Sequence, residues 1–141
     1  MSEYIFFMAG GPVSWSSKCQ FTVAMSSMEA EYIGQYNAAW EATWIRSFLE
    51  ELGPSYRDLI KEPLVIKADS QPAETLALDP AFHTRAKHLD VAYHWQRQQV
   101  DRKVFEFEDI LSKDNGADGL TKSFGPQLYR MFKDLIHMNE I

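Results

Sequence analysis

Ser26-Ser27-Met28-Glu29-Ala30-Glu31-Tyr32-Ile33 opens the stretch that decides the fold, and Leu52-Gly53-Pro54 closes it. Ser26 with Glu29 three residues on forms a capping box, in which each side chain satisfies a backbone donor left orphaned in a helix's first turn. Ile33, Tyr36, Trp40, Trp44 and Phe48 follow at spacings of three and four, an apolar stripe along one side. Gly53 suits the left-handed cap and Pro54 cannot continue the helix. The pattern predicts a helix of roughly 25 residues, the main packing element of the fold, with Trp40 and Trp44 in its core.

Upstream, Tyr4-Ile5-Phe6-Phe7-Met8 is apolar throughout, as a strand buried on both faces would be. Gly10-Gly11-Pro12 is a turn signal and Val13-Ser14-Trp15-Ser16 alternates, so the two runs read as a β-hairpin. Downstream, Pro63 to Asp69 reads as a second buried strand, and Ser55 to Glu62 as an exposed insertion before it. Ser70 caps a short helix with Pro72 in its first turn, ending near Asp79-Pro80. Leu89, Ala92, Tyr93, Gln96 and Val100 mark a further helix. Val104-Phe105-Glu106-Phe107-Glu108 alternates as a half-exposed strand, Ala117 to Thr121 is a short helix, and Pro126 to His137 a terminal one. Strands alternating with helices imply an α/β fold, a mixed sheet with helices on its faces, in one domain over residues 1–141.

The composition agrees with a folded domain: 141 residues, 45% hydrophobic, 13% aromatic and 24% charged. The longest apolar run, Tyr4 to Ala9, is far short of the roughly 20 residues that cross a bilayer. The single cysteine, Cys19, cannot close an internal disulfide, and Met1-Ser2-Glu3 has no basic lead-in to a signal sequence. The expectation is an intracellular protein, cytoplasmic or nuclear, with no membrane partner. A net charge of −6 and a pI near 5.1 disfavour strong non-specific nucleic-acid binding, which rests on Lys and Arg neutralising phosphates. A local basic segment remains at His83, Arg85, Lys87 and His88, suited to phosphate contacts or to a solvated helix entry.

Three acids sit where chemistry is expected. Glu31 lies in the first turns of the long helix, Asp69 closes a buried strand, and Asp118 begins a short helix after the last strand. Carboxylates gathered at one end of a sheet are hard oxygen ligands for magnesium or manganese, and two such ions can drive phosphodiester hydrolysis. Each acid also has a structural role open to it: a charge on the helix dipole, a turn residue, a cap.

Five blocks, in order, add a resemblance. Val13-Ser14-Trp15-Ser16-Ser17-Lys18, Ser26 to Ile33, Ala68-Asp69-Ser70-Gln71, Phe82 to Asp90 and Ala117-Asp118-Gly119-Leu120-Thr121-Lys122 are similar to the successive signatures of the ribonuclease H segment of copia-type retrotransposon polyproteins. The resemblance covers residues 4 to 125 and implies a ribonuclease H-like mixed sheet. It also implies two magnesium or manganese ions on four carboxylates, and cleavage of RNA in RNA/DNA hybrids. By motif, Glu31, Asp69 and Asp118 are the second, third and fourth of those acids; Glu29 points to another helix face.

The first carboxylate of the family lies on a strand before the hairpin, and no such strand precedes Tyr4 here. Glu3 belongs to the hairpin strand and is a poor substitute. The expectations are a weakened or lost hydrolase and two exposed sheet edges needing a cover: a strand from a second copy or a partner chain, direct pairing of the flanking strands, or a rearranged N-terminus. A domesticated non-nuclease follows as the alternative, either an assembly module or an enzyme acting on a small molecule in a pocket left by the strand.

Overall fold

The computed structural model describes residues 2–20, 27–60, 62–69 and 87–138. The order along them is β1 (Ser2–Met8), β2 (Gly11–Lys18), α1 (Ser27–Glu51), β3 (Leu64–Ala68), α2 (Lys87–Asp101), β4 (Phe105–Asp109) and α3 (Pro126–Leu135), with short 3-10 turns at Pro54–Ile60, Ser112–Asp114 and Gly116–Leu120. The helix expected after Ser70 falls outside the described residues, as does the Ser26 half of the capping box. None of the described helices is long and apolar enough to cross a membrane.

The hairpin closes through a two-residue loop, Ala9 and Gly10, at φ of 52° and 84°. Positive φ at both positions gives the tight loop whose twist matches the paired strands. β1 and β2 are antiparallel, with a register shift between Phe6 and Phe7. β3 and β4 form a separate parallel pair, Leu64 opposite Phe105 through Ala68 opposite Asp109. The strands therefore make two two-stranded sheets, and among the described residues neither β1 nor β3 has a second partner.

One helix holds both sheets. Ala38, Ala39 and Ala42 of α1 pack with Ile66 and Phe105, and Tyr4, Phe6 and Leu64 close around them. Further along, Ile45 and Leu49 pack with Ile60, Phe6, Met8 and Leu64. Ile60 is 6% exposed, so the segment expected to be an exposed insertion is anchored in the core.

The face of α1 turned inward is not the one its aromatic stripe suggests. Trp40 and Trp44 are 57% and 58% exposed, whereas Ala39 and Ala42 are fully buried. Alanines let the helix backbone lie close on the strands, and the larger rings move to the flank. There Trp40 meets Trp95 of α2 at 5.1 Å and Trp44 stacks on Phe48. The strands are likewise less buried than their apolar runs imply. Phe7 and Val65 are 42% and 43% exposed, because a two-stranded sheet leaves much of its surface uncovered.

The hairpin carries structure on both faces. Tyr4 and Phe6 face α1, while Phe7 meets the His137 ring at 5.4 Å and His137 Nδ1 lies 2.9 Å from the Gly10 carbonyl. Within α2, Gln96 is 3% exposed and its amide finds no hydrogen-bond partner among the described residues.

Candidate carboxylate site

The packing fixes strand directions. β1 passes from Tyr4 beside Ala38–Ala42 to Met8 beside Leu49, so it runs with α1; β3 passes from Leu64 to Ile66 the other way. The start of β1, the end of β3 and the N-terminal end of α1 therefore lie at one end of the molecule. Gln20 fastens that end, donating from Nε2 to Ser2 Oγ at 2.8 Å and to the Ala30 carbonyl at 2.7 Å. α2 leads into β4 at the opposite end, where the Leu64 amide bonds the Val104 carbonyl, so Lys87 and His88 begin α2 on the acid-bearing side.

The turns after β4 bring Asp118 to this end. Asn115 Oδ1 accepts from the Ala117 amide at 3.1 Å, an Asx cap that starts the 3-10 turn. Ser17 Oγ donates to the Leu120 carbonyl at 3.0 Å and ties the turn to β2. Gly119 lies against Phe132, where a side chain would not fit: a Cβ there would stand 2.1 Å from Cδ2 of the ring.

Around this turn the acids gather. The Asp118 carboxylate pairs with the Lys122 ammonium four residues on and accepts from Asn115 Nδ2 at 3.4 Å. Asp69 accepts from Ser112 Oγ at 3.0 Å. Glu3 accepts from Thr121 Oγ1 at 3.4 Å. Burial, then the charge of Asp118, pushes the Glu3 carboxyl above its ordinary pKa. The Lys122 ammonium is pushed up, first by its hydrogen bond to Asp118 and the charge of that group, with Asp69 and Glu3 adding.

Of the acids read from the sequence, Asp118 pairs with Lys122, and Asp69, hydrogen-bonded to Ser112, adds its charge to the field on that ammonium. Glu31 lies on the exposed side of α1, and Glu29 is 8% exposed on the inward side, in line with Tyr32. His83 and Arg85 lie outside the described residues. Sequence reasoning set Glu3 aside and gave Lys122 no role. Lys122 ends the Ala117–Lys122 block, four residues beyond Asp118, and that i,i+4 spacing was the available signal.

The donors present have the chemistry of a magnesium or manganese site, but not its geometry. Among the described residues no three acidic, histidine or cysteine side chains converge on one point. Asp118 is already committed to an ammonium. A separate cleft of about 380 Å³ lies between the hairpin and α1, lined by Ser2, Tyr4, Ser16, Lys18, Trp40 and Glu41. Its lining is mixed polar and aromatic, and burial followed by the charge of Glu41 pushes the Tyr4 hydroxyl above its ordinary pKa.

No family model matches the chain, and no solved structure does. Curated relatives do. The chain is 39% identical over 136 residues, 96% of its length, to the retrovirus-related Pol polyprotein from transposon TNT 1-94 of Nicotiana tabacum. It is 36% identical over 98% of its length to that from transposon RE1 of Arabidopsis thaliana, and 38% over 92% to that from RE2. It spans 9 to 10% of the length of these proteins. The chain is thus a homologue of one segment, about a tenth, of copia-type Pol polyproteins from plant transposons.

Proposed function

We propose that this chain is a ribonuclease H-like domain of retrotransposon origin. Its ancestral reaction is magnesium- or manganese-dependent hydrolysis of RNA in RNA/DNA hybrids, and in this chain as it stands that reaction is weakened or lost. The gathering of Asp69 and Asp118 at one end of the fold, at the end of β3 and in the turn after β4, carries the reading. An α1 acid completes the proposed set. The sequence motif favours Glu31, and burial favours Glu29. His83, Arg85, Lys87 and His88 are the proposed phosphate contacts, since α2 begins on the acid-bearing side.

The weakening follows from the sheet being divided, and the acids not converging, among the described residues. A phosphodiester needs its attacking and leaving oxygens stabilised together, and the described carboxylates hold no common point. The test is a labelled RNA/DNA hybrid in magnesium and then manganese, with Asp69→Asn alongside. Trace cleavage that Asp69→Asn abolishes is the expected result. Cleavage unchanged by Asp69→Asn would remove Asp69 from the assignment.

The edges of β1 and β3 left open among the described residues favour a second reading, a domain retained as an assembly module. Unpaired strand edges template pairing with another chain. Light scattering near micromolar concentration distinguishes the two: a stable dimer or heteromer supports assembly, and a strict monomer opposes it.

A further inference from the structure

The cleft between the hairpin and α1 carries opposite charges at its two ends. β2 runs against α1, so Lys18 lies toward Ile33 at one end, and Ser14 lies toward Glu41 at the other. Ser14 Oγ donates to Glu41 Oε1 at 2.5 Å and holds the carboxylate there. Ser14 and Lys18 stand about 13 Å apart along β2, and Ile33 and Glu41 about 12 Å apart along α1. Among the described residues neither Lys18 nor Glu41 takes part in an ion pair. Tyr4 and Trp40 wall the Glu41 end, and Ser16 and Asn37 offer a hydroxyl and an amide along the way. The Tyr4 hydroxyl hydrogen-bonds with Ser16, Ser14 and Glu41. Trp40 is backed by Trp95 at 5.1 Å and by Tyr36 at 6.3 Å, which hold its ring in place. At about 380 Å³ the cleft has the volume of a small ligand site.

We propose that this cleft binds a short extended peptide of about three residues, its free amino group on Glu41, Tyr4 and Trp40 and its carboxylate on Lys18. A carboxylate beside two aromatic rings suits an ammonium, which it hydrogen-bonds while the ring faces attract the charge. The Lys18 ammonium suits the opposite terminus. Three residues at about 3.3–3.6 Å each, with their terminal groups, reach from one charge to the other. The hydroxyl and amide between them match the N–H and C=O groups of a peptide backbone. The site does not involve Asp69 or Asp118 and stands whether or not those acids serve a nuclease.

The experiment is titration of the whole purified chain with trialanine, followed in proton–nitrogen correlation spectra at the Trp40 indole and the Asn37 side-chain amide. Shifts at both should saturate at roughly millimolar peptide. N-acetyl-trialanine and trialanine amide, each lacking one terminal charge, should bind about fivefold weaker, the effect of losing one solvent-exposed charge pair. Glu41→Gln should bind trialanine as weakly as the wild type binds the acetylated peptide, with no further loss on acetylation. Lys18→Met should behave in the same way toward the amide. Spectra dispersed like those of the wild type establish that each variant is folded. No shift at these two groups up to about 10 mM trialanine, or affinities that neither blocking nor substitution changes, overturns the proposal. Blocking that weakens binding equally in the wild type and in the matching variant overturns the placement of the two termini.

Discussion

Gly119→Ala is the substitution whose cost the geometry defines best. The backbone there accepts alanine, since Gly119 is not in the left-handed region, but the new methyl would stand 2.1, 2.3 and 2.9 Å from Cδ2, Cε2 and Cγ of Phe132. Contacts that short with three ring atoms cannot be relieved by a small tilt. The ring must swing, and it is packed 5.5 Å from Phe124 and 6.5 Å from Tyr129. Overpacking of this kind costs about 1–3 kcal/mol, which at this chain length lowers the melting midpoint by roughly 3–10 °C. The three nearest atoms all belong to Phe132, so a double-mutant cycle isolates that clash. In a Phe132→Ala background the penalty should vanish. Gly119→Ala should even become stabilising there by up to about 1 kcal/mol, because alanine restricts the unfolded chain more than glycine does. Urea unfolding of the four proteins gives the cycle. A neutral Gly119→Ala in the wild type, or the same penalty in both backgrounds, would refute the account of how the turn bearing Asp118 is seated on α3.

Other outcomes follow from single sites. Phe105 is fully buried where α1 meets both β3 and Trp95, so Phe105→Ala should cost about 3–5 kcal/mol in urea unfolding, and a loss under about 1 kcal/mol would contradict that placement. Gln96→Met removes, at similar volume, a buried amide with no partner among the described residues and should raise stability by about 1 kcal/mol; a destabilised variant would mean that the amide is satisfied after all. Glu3 holds its proton more tightly in the folded chain than in the unfolded one, so its contribution to stability is intact below the ordinary value of 4.5 and is lost as pH rises through the raised value. Glu3→Gln should therefore match the wild type in acid and exceed it at neutral pH, with equal urea midpoints at neutral pH counting against the burial of that carboxyl.

The sequence was most readable where local chemistry acts alone. The hairpin follows from its turn residues and alternation, and the end of α1 from Gly53, which adopts φ of 113°. Which face of α1 turns inward was not readable. The stripes through Ala39 and Ala42 and through Trp40 and Trp44 are neighbours on the helix, both apolar, and only the close approach of the strands selects the small one. Asp69 and Asp118 stood out by position after strands. Glu3 did not, because its tie to Thr121 spans 118 residues and depends on where the last turns land on the hairpin.

Among the described residues β3 pairs on one side only, with β4. The Leu64 amide bonds the Val104 carbonyl and the Ile110 amide bonds the Ala68 carbonyl. With the two-residue period of a strand, the amides of Leu64, Ile66 and Ala68 face β4, and those of Val65 and Lys67 face the open edge. Amide hydrogen exchange resolved by residue measures this directly. Protection at Leu64, Ile66 and Ala68 with rapid exchange at Val65 and Lys67 is the predicted result. Equal protection at all five would mean that another strand completes the sheet, and would contradict the account.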